Sequence, residues 1–310
     1  MDKKALRIII ICVVAAILLF IIVPDRKIPV TVNNGQSALG VAAQLQKKHV
    51  IFSKALFLGV VKITGSSDKI KAGNYQFGYK DTVFSVLSKL KKGDGIFIKF
   101  TVPEGSSVRQ TAEIIAASGA NINIEKFVRI AKEQKAEGYL MPETYFIEAS
   151  AGEEAIIRMM RQEFDKKVTP EMYARAKALN MSMAKIVILA SIIEKEAVKA
   201  DDRPIIAGIF YNRLRKGMKL ESCATVLYAL GKNKPHLSYE DIKVNSPYNT
   251  YIKYGLPPAP IASPGIASIK AALYPANTNY LFFVSDGSGG HLFAQTLEQH
   301  NKNKIAARNK

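Results

Sequence analysis

The stretch from Met183 to about Ala197 is apolar nearly all round, with Ile186, Val187, Ile188, Leu189, Ile192 and Ile193 spread over its circumference. A helix with that pattern is buried on most faces, so other elements must be built around it. At 310 residues the chain can hold two or three domains with cores of their own. The segment ends in Ser191-Ile-Ile-Glu194-Lys195-Glu196, which carries carboxyl groups into a greasy setting. Desolvation disfavours a charged carboxylate there, raises its pKa and lets it hold a proton near neutral pH. That is the equipment of a general acid working on a poor leaving group such as a sugar oxygen.

Glu194 and Glu196 are two apart, so on one helix they point roughly 200° from each other. They cannot form a facing carboxylate pair. Glu194 shares its face with Val187, Ala190, Ser191, Ala197 and Val198, which are small or apolar. Glu196 shares its face with Ile192, Ile193, Lys199 and Ala200, and Lys199 offers it an i,i+3 partner. This register favours Glu194 as the acid and makes Glu196 a structural or orienting carboxylate. The bland alternative is that both are solvated charges at a helix C-terminus. No second carboxylate evidently faces Glu194.

Lys and Arg number 44 against 26 Asp and Glu, a net charge of +18. That excess favours an anionic partner: nucleic acid, an anionic membrane face or a polyanionic wall layer. Ile8 to Val23 is an unbroken apolar run closed by Pro24. Its ~16 residues span ~24 Å as a helix, and Ala5, Leu6 and a snorkelling Arg7 extend it toward the ~30 Å of a bilayer core. Pro24-Asp-Arg-Lys27 follows with no small-x-small cleavage site, so the run reads as an uncleaved single-pass anchor. The expected placement is the cytoplasmic membrane, with a short cytoplasmic N-terminus and the bulk outside, which argues against nucleic acid. Cys12 lies inside the run, so it cannot pair with Cys223 in a soluble domain. His49, His236, His291 and His300 are scattered without ligand spacing, and neither a metal nor another cofactor is expected.

After the run the sequence repeats itself once. Thr31-Val-Asn-Asn-Gly35-Gln-Ser37 recurs as Thr101-Val-Pro-Glu-Gly105-Ser-Ser107, and the correspondence continues through Ala42 with Ala112 and Phe57 with Phe127. Each copy reads as strand, Gly turn, helix and helix. Gly73 to Phe77 alternates as a strand, Asp81 to Leu90 reads as an amphipathic helix, and Ile96 to Val102 as another strand. Helices are predicted over 152–167, 170–179 and 183–197. Asp202 caps a further one, and Ile266 to Leu273 is a short one. Tyr280 to Val284 reads as a buried strand. The fold class is α+β: an N-terminal transmembrane helix, a small α+β module and a mixed α/β catalytic domain. The expected boundaries are 1–27 for the tip and anchor, 28–100 for the module, 101–150 for a connecting segment with the partial repeat, and 151–310 for the catalytic domain.

Other residues suit a carbohydrate site. Tyr139 and Tyr145 sit in the shaped loop Glu137-Gly-Tyr-Leu-Met-Pro142-Glu-Thr-Tyr145 and could stack on a sugar or fill a domain junction. Asn212 and Arg213 could bind sugar hydroxyls or an acetamido carbonyl, or simply be solvated. Ser222, Thr225 and Tyr228 place two hydroxyls and a phenol at helical spacing. Tyr248, Asn249 and Thr250 belong to a polar, aromatic loop framed by prolines, which reads better as a ligand wall than as core.

Taken in order, Ser-Ile-Ile-Glu194-Lys-Glu196, Asn212-Arg-Leu, Ser222-x-x-Thr225-x-x-Tyr228, Tyr248-Asn-Thr-Tyr, Gly255-Leu-Pro-Pro and Gly290-His291-x-Phe293 closely resemble the endolytic murein transglycosylase (YceG-like) family. The resemblance covers nearly the whole chain. It implies a LysM-like module after a membrane anchor, then a catalytic domain facing the cell wall. It also implies a peptidoglycan lytic transglycosylase that cuts the MurNAc-β-1,4-GlcNAc bond of nascent strands. Glu194, the first carboxylate of the triplet, is the implied catalytic residue. It would protonate the leaving oxygen and then, as a base, deprotonate the muramoyl 6-hydroxyl while a 1,6-anhydro ring closes. The absence of an evident facing carboxylate fits that route. Such cleavage would limit strand length beside membrane-bound peptidoglycan synthases, the implied partners. Many members carry Asp-Pro where this chain has Cys223-Ala224. A hydrolytic muramidase, and a tethered peptidoglycan-binding scaffold without catalysis, remain the rival readings.

Overall fold

The computed structural model describes residues 27–308, apart from 34, 79, 94–96, 149–150, 233 and 235–236. The apolar run Ile8–Val23 and His236 lie outside the described residues. The chain divides into two compact units. The first comprises residues up to Lys99 with Phe146–Ser150, and the second Phe100–Tyr145 with Ala151–Lys310.

The first unit is built from β1 (Ile28–Val32), α1 (Ala38–Lys47), α2 (Lys54–Ile63), β2 (Gly73–Phe77) and α3 (Val83–Lys92). β1 and β2 pair antiparallel with Val30 opposite Tyr75 and Ile28 opposite Phe77. The period of two turns Val30, Val32, Tyr75 and Phe77 to one buried face. Val41, Ala42 and Leu45 of α1, Phe57 and Val61 of α2, and Val86, Leu87 and Leu90 of α3 close over that face. Ser37, Ser53 and Thr82 cap the three helices through their hydroxyls. The Tyr75 hydroxyl donates to the Lys71 carbonyl at 2.7 Å, so its polar end is satisfied.

The second unit opens with the repeat. β3 (Phe97–Thr101) pairs with β4 (Thr144–Glu148), residues 97–99 and 146–148 of the two strands being counted with the first unit, and α4 (Val108–Ala117) and α5 (Ile124–Glu133) lie between them in sequence. Gly35 and Gly105, at the same place in the two copies, both adopt positive φ, +74° and +76°. Ser107 and Gln110 complete a reciprocal capping box on α4.

Then come α6 (Glu153–Lys167), α7 (Pro170–Ala178), α8 (Met183–Glu196), α9 (Asp202–Arg215), α10 (Cys223–Leu230), α11 (Ile266–Leu273), β5 (Phe282–Ser285), β6 (His291–Ala294) and α12 (Leu297–Arg308). α8 is the hub. Its residues from Ile186 to Ile193 are all buried, and α7, α9, α10 and α11 pack around it. Burying each of Ile186, Leu189, Ile192 and Ile193 contributes about 1.5–3 kcal/mol. The one polar side chain in that stretch, Ser191, donates to Ile188 O at 2.7 Å and accepts from Ile261 N at 3.1 Å. Among the described residues no single helix is long and apolar enough to cross a membrane. α7 and α8 pass such a test only as a pair bent by 92°.

Two sequence expectations need correction. Asp202 is not the cap of α9. It lies inside the first turn, and its carboxylate turns to His291 at 2.8 Å. The strand expected over Tyr280–Val284 starts at Phe282 and runs to Ser285, and its residues are partly covered or exposed, not buried.

Candidate active site

The last turn of α8 sends its two carboxylates to different places. Glu194 has a side chain only 6% exposed. One oxygen accepts from the Gly265 N–H at 2.8 Å, at the N-terminus of α11, and the other lies 3.7 Å from the Arg203 guanidinium. The apolar setting expected for Glu194 is therefore not what its carboxylate meets: a helix N-terminus and a cation face it. A second carboxylate also lies near Glu194, which the sequence did not make evident. Glu104, from the turn after β3, lies so close to Gly265 that a Cβ there would sit 1.8 Å from its Oε1. Burial and the charge of Glu194 raise the Glu104 pKa, while Arg203 and Lys167 pull it down. Thr101-Val-Pro-Glu104-Gly105 was visible as half of a repeat, but its distance from α8 in sequence hid the pairing.

Glu196 turns the other way, into the wall of a cavity of about 440 Å³ that Arg213, Glu221, Cys223, Tyr251 and His291 also line. It accepts from the Ser222 hydroxyl at 2.5 Å and from the Ala224 backbone N–H in the first turn of α10. Desolvation is the largest influence on this carboxyl and raises its pKa. The two hydrogen bonds and the nearby His291 offset part of that rise. Lys199, its expected partner, instead reaches Ser288 at 3.3 Å. Cys223 is exposed, and its sulfur lies 3.1 Å from the Tyr251 hydroxyl.

The other candidates separate into three groups. Ser222 touches Glu196 directly. Behind it the Thr250 hydroxyl accepts from Ser222 N at 3.0 Å and lies 2.8 Å from the Thr225 hydroxyl, so this buried pair braces the Ser222 turn. Tyr228, Tyr248 and Tyr139 line a second cavity of about 530 Å³, together with Glu137, Ile188, Pro258 and Pro260. There the Tyr228 hydroxyl donates to Glu137 at 3.1 Å, and the Tyr228 and Tyr248 rings lie 4.9 Å apart. Burial pushes Glu137 up to about 7 even though Val108 N and Tyr228 both donate to it. Glu137 stood in the same loop as Tyr139, yet its neighbours in space were not legible.

In the third group, side chains offered as sugar ligands spend their polar atoms on the protein itself. Asn212 donates to the carbonyls of Thr278 and Tyr280 at 2.7 and 2.9 Å and accepts from Arg215. Arg213 donates to the carbonyls of Leu281, Lys219 and Leu220 and to Glu221, with its guanidinium over the Phe282 ring. Asn249 donates to the carbonyls of Ile242 and Val244. The Tyr145 hydroxyl donates to Met141 O at 2.6 Å and its ring stacks on Phe100. Of these four, Arg213 alone lines the cavity beside Glu196. Among the described residues no three His, Cys, Asp or Glu side chains converge as a metal site.

The chain matches the YceG-like family over residues 30–306 and belongs to that family. Its relatives include the endolytic murein transglycosylase of Bacillus subtilis (strain 168). The two are 36% identical over 309 residues, covering 90% of this chain and 85% of the relative. The endolytic murein transglycosylase of Streptococcus pneumoniae serotype 2 (strain D39 / NCTC 7466) is 29% identical over 90% of this chain, which spans 58% of that longer protein. A crystal structure of a yceG-like protein from Listeria monocytogenes superimposes with a TM-score of 0.61 at 34% identity. It covers 90% of this chain and 99% of the other.

Proposed function

We propose that this protein is an endolytic murein transglycosylase whose general acid is Glu196. The observation that carries the reading is a carboxyl group with a raised pKa, held by Ser222 and Ala224 N–H, in the wall of a cavity large enough for part of a sugar chain. Glu196 keeps its proton to higher pH than an exposed glutamate and gives it to the leaving O4 as the MurNAc C1–O4 bond breaks. The 6-hydroxyl oxygen then bonds to C1, gives up its proton to a base in the same cavity and leaves a 1,6-anhydro end. Glu194 is better suited to hold the end of α8 against α11, because Gly265 N–H and Arg203 already engage it.

The same reading places the Ile8–Val23 run in the cytoplasmic membrane as a single-pass anchor, with the described residues outside the cytoplasm. The β1–α1–α2–β2 order of the first unit supports a LysM-like wall-binding module. Nascent glycan strands are the substrate, and membrane-bound synthases are the partners. No cofactor is invoked. The Glu104–Glu194 approach favours one second reading, a two-carboxylate muramidase that would leave reducing ends.

The test is end-group mass spectrometry of uncross-linked glycan strands treated with full-length protein, Glu196→Gln or Glu194→Gln. Glu196→Gln should lower turnover by about 100-fold or more, and the wild-type products should carry anhydro ends. Full activity in Glu196→Gln with loss in Glu194→Gln would return the acid role to Glu194. Reducing ends would establish the muramidase instead.

A further inference from the structure

His291 shares the Glu196 cavity and is held there from three sides. Its Nδ1 lies 2.8 Å from Oδ2 of Asp202, at the start of α9. Its ring meets Phe283 edge-on at 5.5 Å and is tilted against Phe293 at 6.2 Å. An ionised carboxylate can only accept, so Asp202 requires the imidazole to carry its hydrogen on Nδ1. When the ring is neutral, Nε2 is then left with a free lone pair. Among the described residues no group hydrogen-bonds Nε2. The ring is near enough to Glu196 for its charge to favour the carboxylate form. A buried imidazole fixed in one tautomer and orientation beside an acid is more than wall packing requires. A hydrophobic residue would fill the same space without consuming an aspartate.

We infer that the Asp202–His291 pair is the base of the reaction proposed above, oriented by Asp202 and complementary to Glu196. As Glu196 donates its proton to O4, the C1–O4 electron pair leaves on O4. The 6-hydroxyl oxygen forms the new bond to C1, and its proton passes to His291 Nε2. Nothing is oxidised or reduced. The step ends with a carboxylate and an imidazolium in one cavity, a pair that attracts. Return of the proton from His291 to Glu196 resets both groups. One carboxyl group then need not reverse its role within a single turnover, as it must when it acts alone.

The inference rests on the transglycosylase reading, and the experiment separates the two. Full-length wild type, Glu196→Gln, His291→Gln, His291→Ala and Asp202→Asn are compared on uncross-linked glycan strands, with kcat and KM measured and folding checked by thermal melting. His291→Gln should lose about 100-fold in kcat with little change in KM, and Asp202→Asn should lose a smaller factor, because general-base contributions run at about 10²–10⁴. Free imidazole should restore part of the kcat of His291→Ala, a rescue that a packing defect would not show. A folded His291→Gln with near-wild-type kcat would overturn the inference. So would loss of activity in the variants with no imidazole rescue. Full activity in Glu196→Gln would instead remove the reading beneath it.

Discussion

Glu137 carries a charge linkage that can be measured apart from catalysis. Its carboxyl, in the cavity with Tyr228 and Tyr248, is raised by burial from 4.5 to about 7. The folded protein therefore keeps a proton that the unfolded chain has already released. Stability is full below the unfolded pKa and falls as pH rises through the folded one, by about 3 kcal/mol in all. Glu137→Gln keeps the shape and removes the titration. Urea denaturation between pH 4.5 and 8 should show a falling stability for wild type and a flatter profile for the variant. Equal slopes would mean that Glu137 stays charged in the fold. Helical spacing correctly separated Glu194 from Glu196 as pointing apart. It could not tell which of them meets a helix N-terminus and a cation and which meets a cavity. Those surroundings come from Arg203, Ser222, Gly265 and His291, up to about a hundred residues downstream.

Among the elements, α8 was the most legible, because an all-round apolar pattern leaves a helix no solvent face. α9 was less so. Its Asn212 and Arg213 looked like ligand binders because both are polar and adjacent. Apart from the Glu221 carboxylate, the acceptors they donate to are main-chain carbonyls between Lys219 and Leu281, and backbone acceptors leave no signal in sequence. α9 also carries Gly208, where the chain after α11 passes against the helix. A Cβ at Gly208 would lie 2.5 Å from the Ala276 carbonyl oxygen and 2.8 Å from Thr278 Cγ2. Backbone on one side and helix on the other leave little room to give. Gly208→Ala should destabilise the protein by about 1–3 kcal/mol, read as a lower urea midpoint, despite the helix propensity it gains. An unchanged midpoint would show that the 276–278 segment moves freely. The Asn212 contacts to Thr278 and Tyr280 argue against that.

At the scale of the whole molecule, the charge of +18 is a field that the site alone does not need. It suits a protein working beside anionic wall polymer. Binding of the full-length protein to purified sacculi should weaken several-fold from 0.1 M to 1 M salt, as the screening length falls from about 10 Å to 3 Å. Salt-independent binding would assign recognition to the uncharged sugar contacts instead. The final turn of α8 has a further consequence. Within three residues it supplies a carboxyl acceptor to the start of α11 through Glu194 and another to the start of α10 through Glu196. Adding or removing one residue in α8 would swing that turn by about 100° and strip both helices of their partners at once. A point substitution in α8 acts on one set of neighbours, whereas a change in its length acts on all of them, so its length cannot drift. Among related chains, insertions and deletions should therefore collect in the loops around α8 and spare the helix itself.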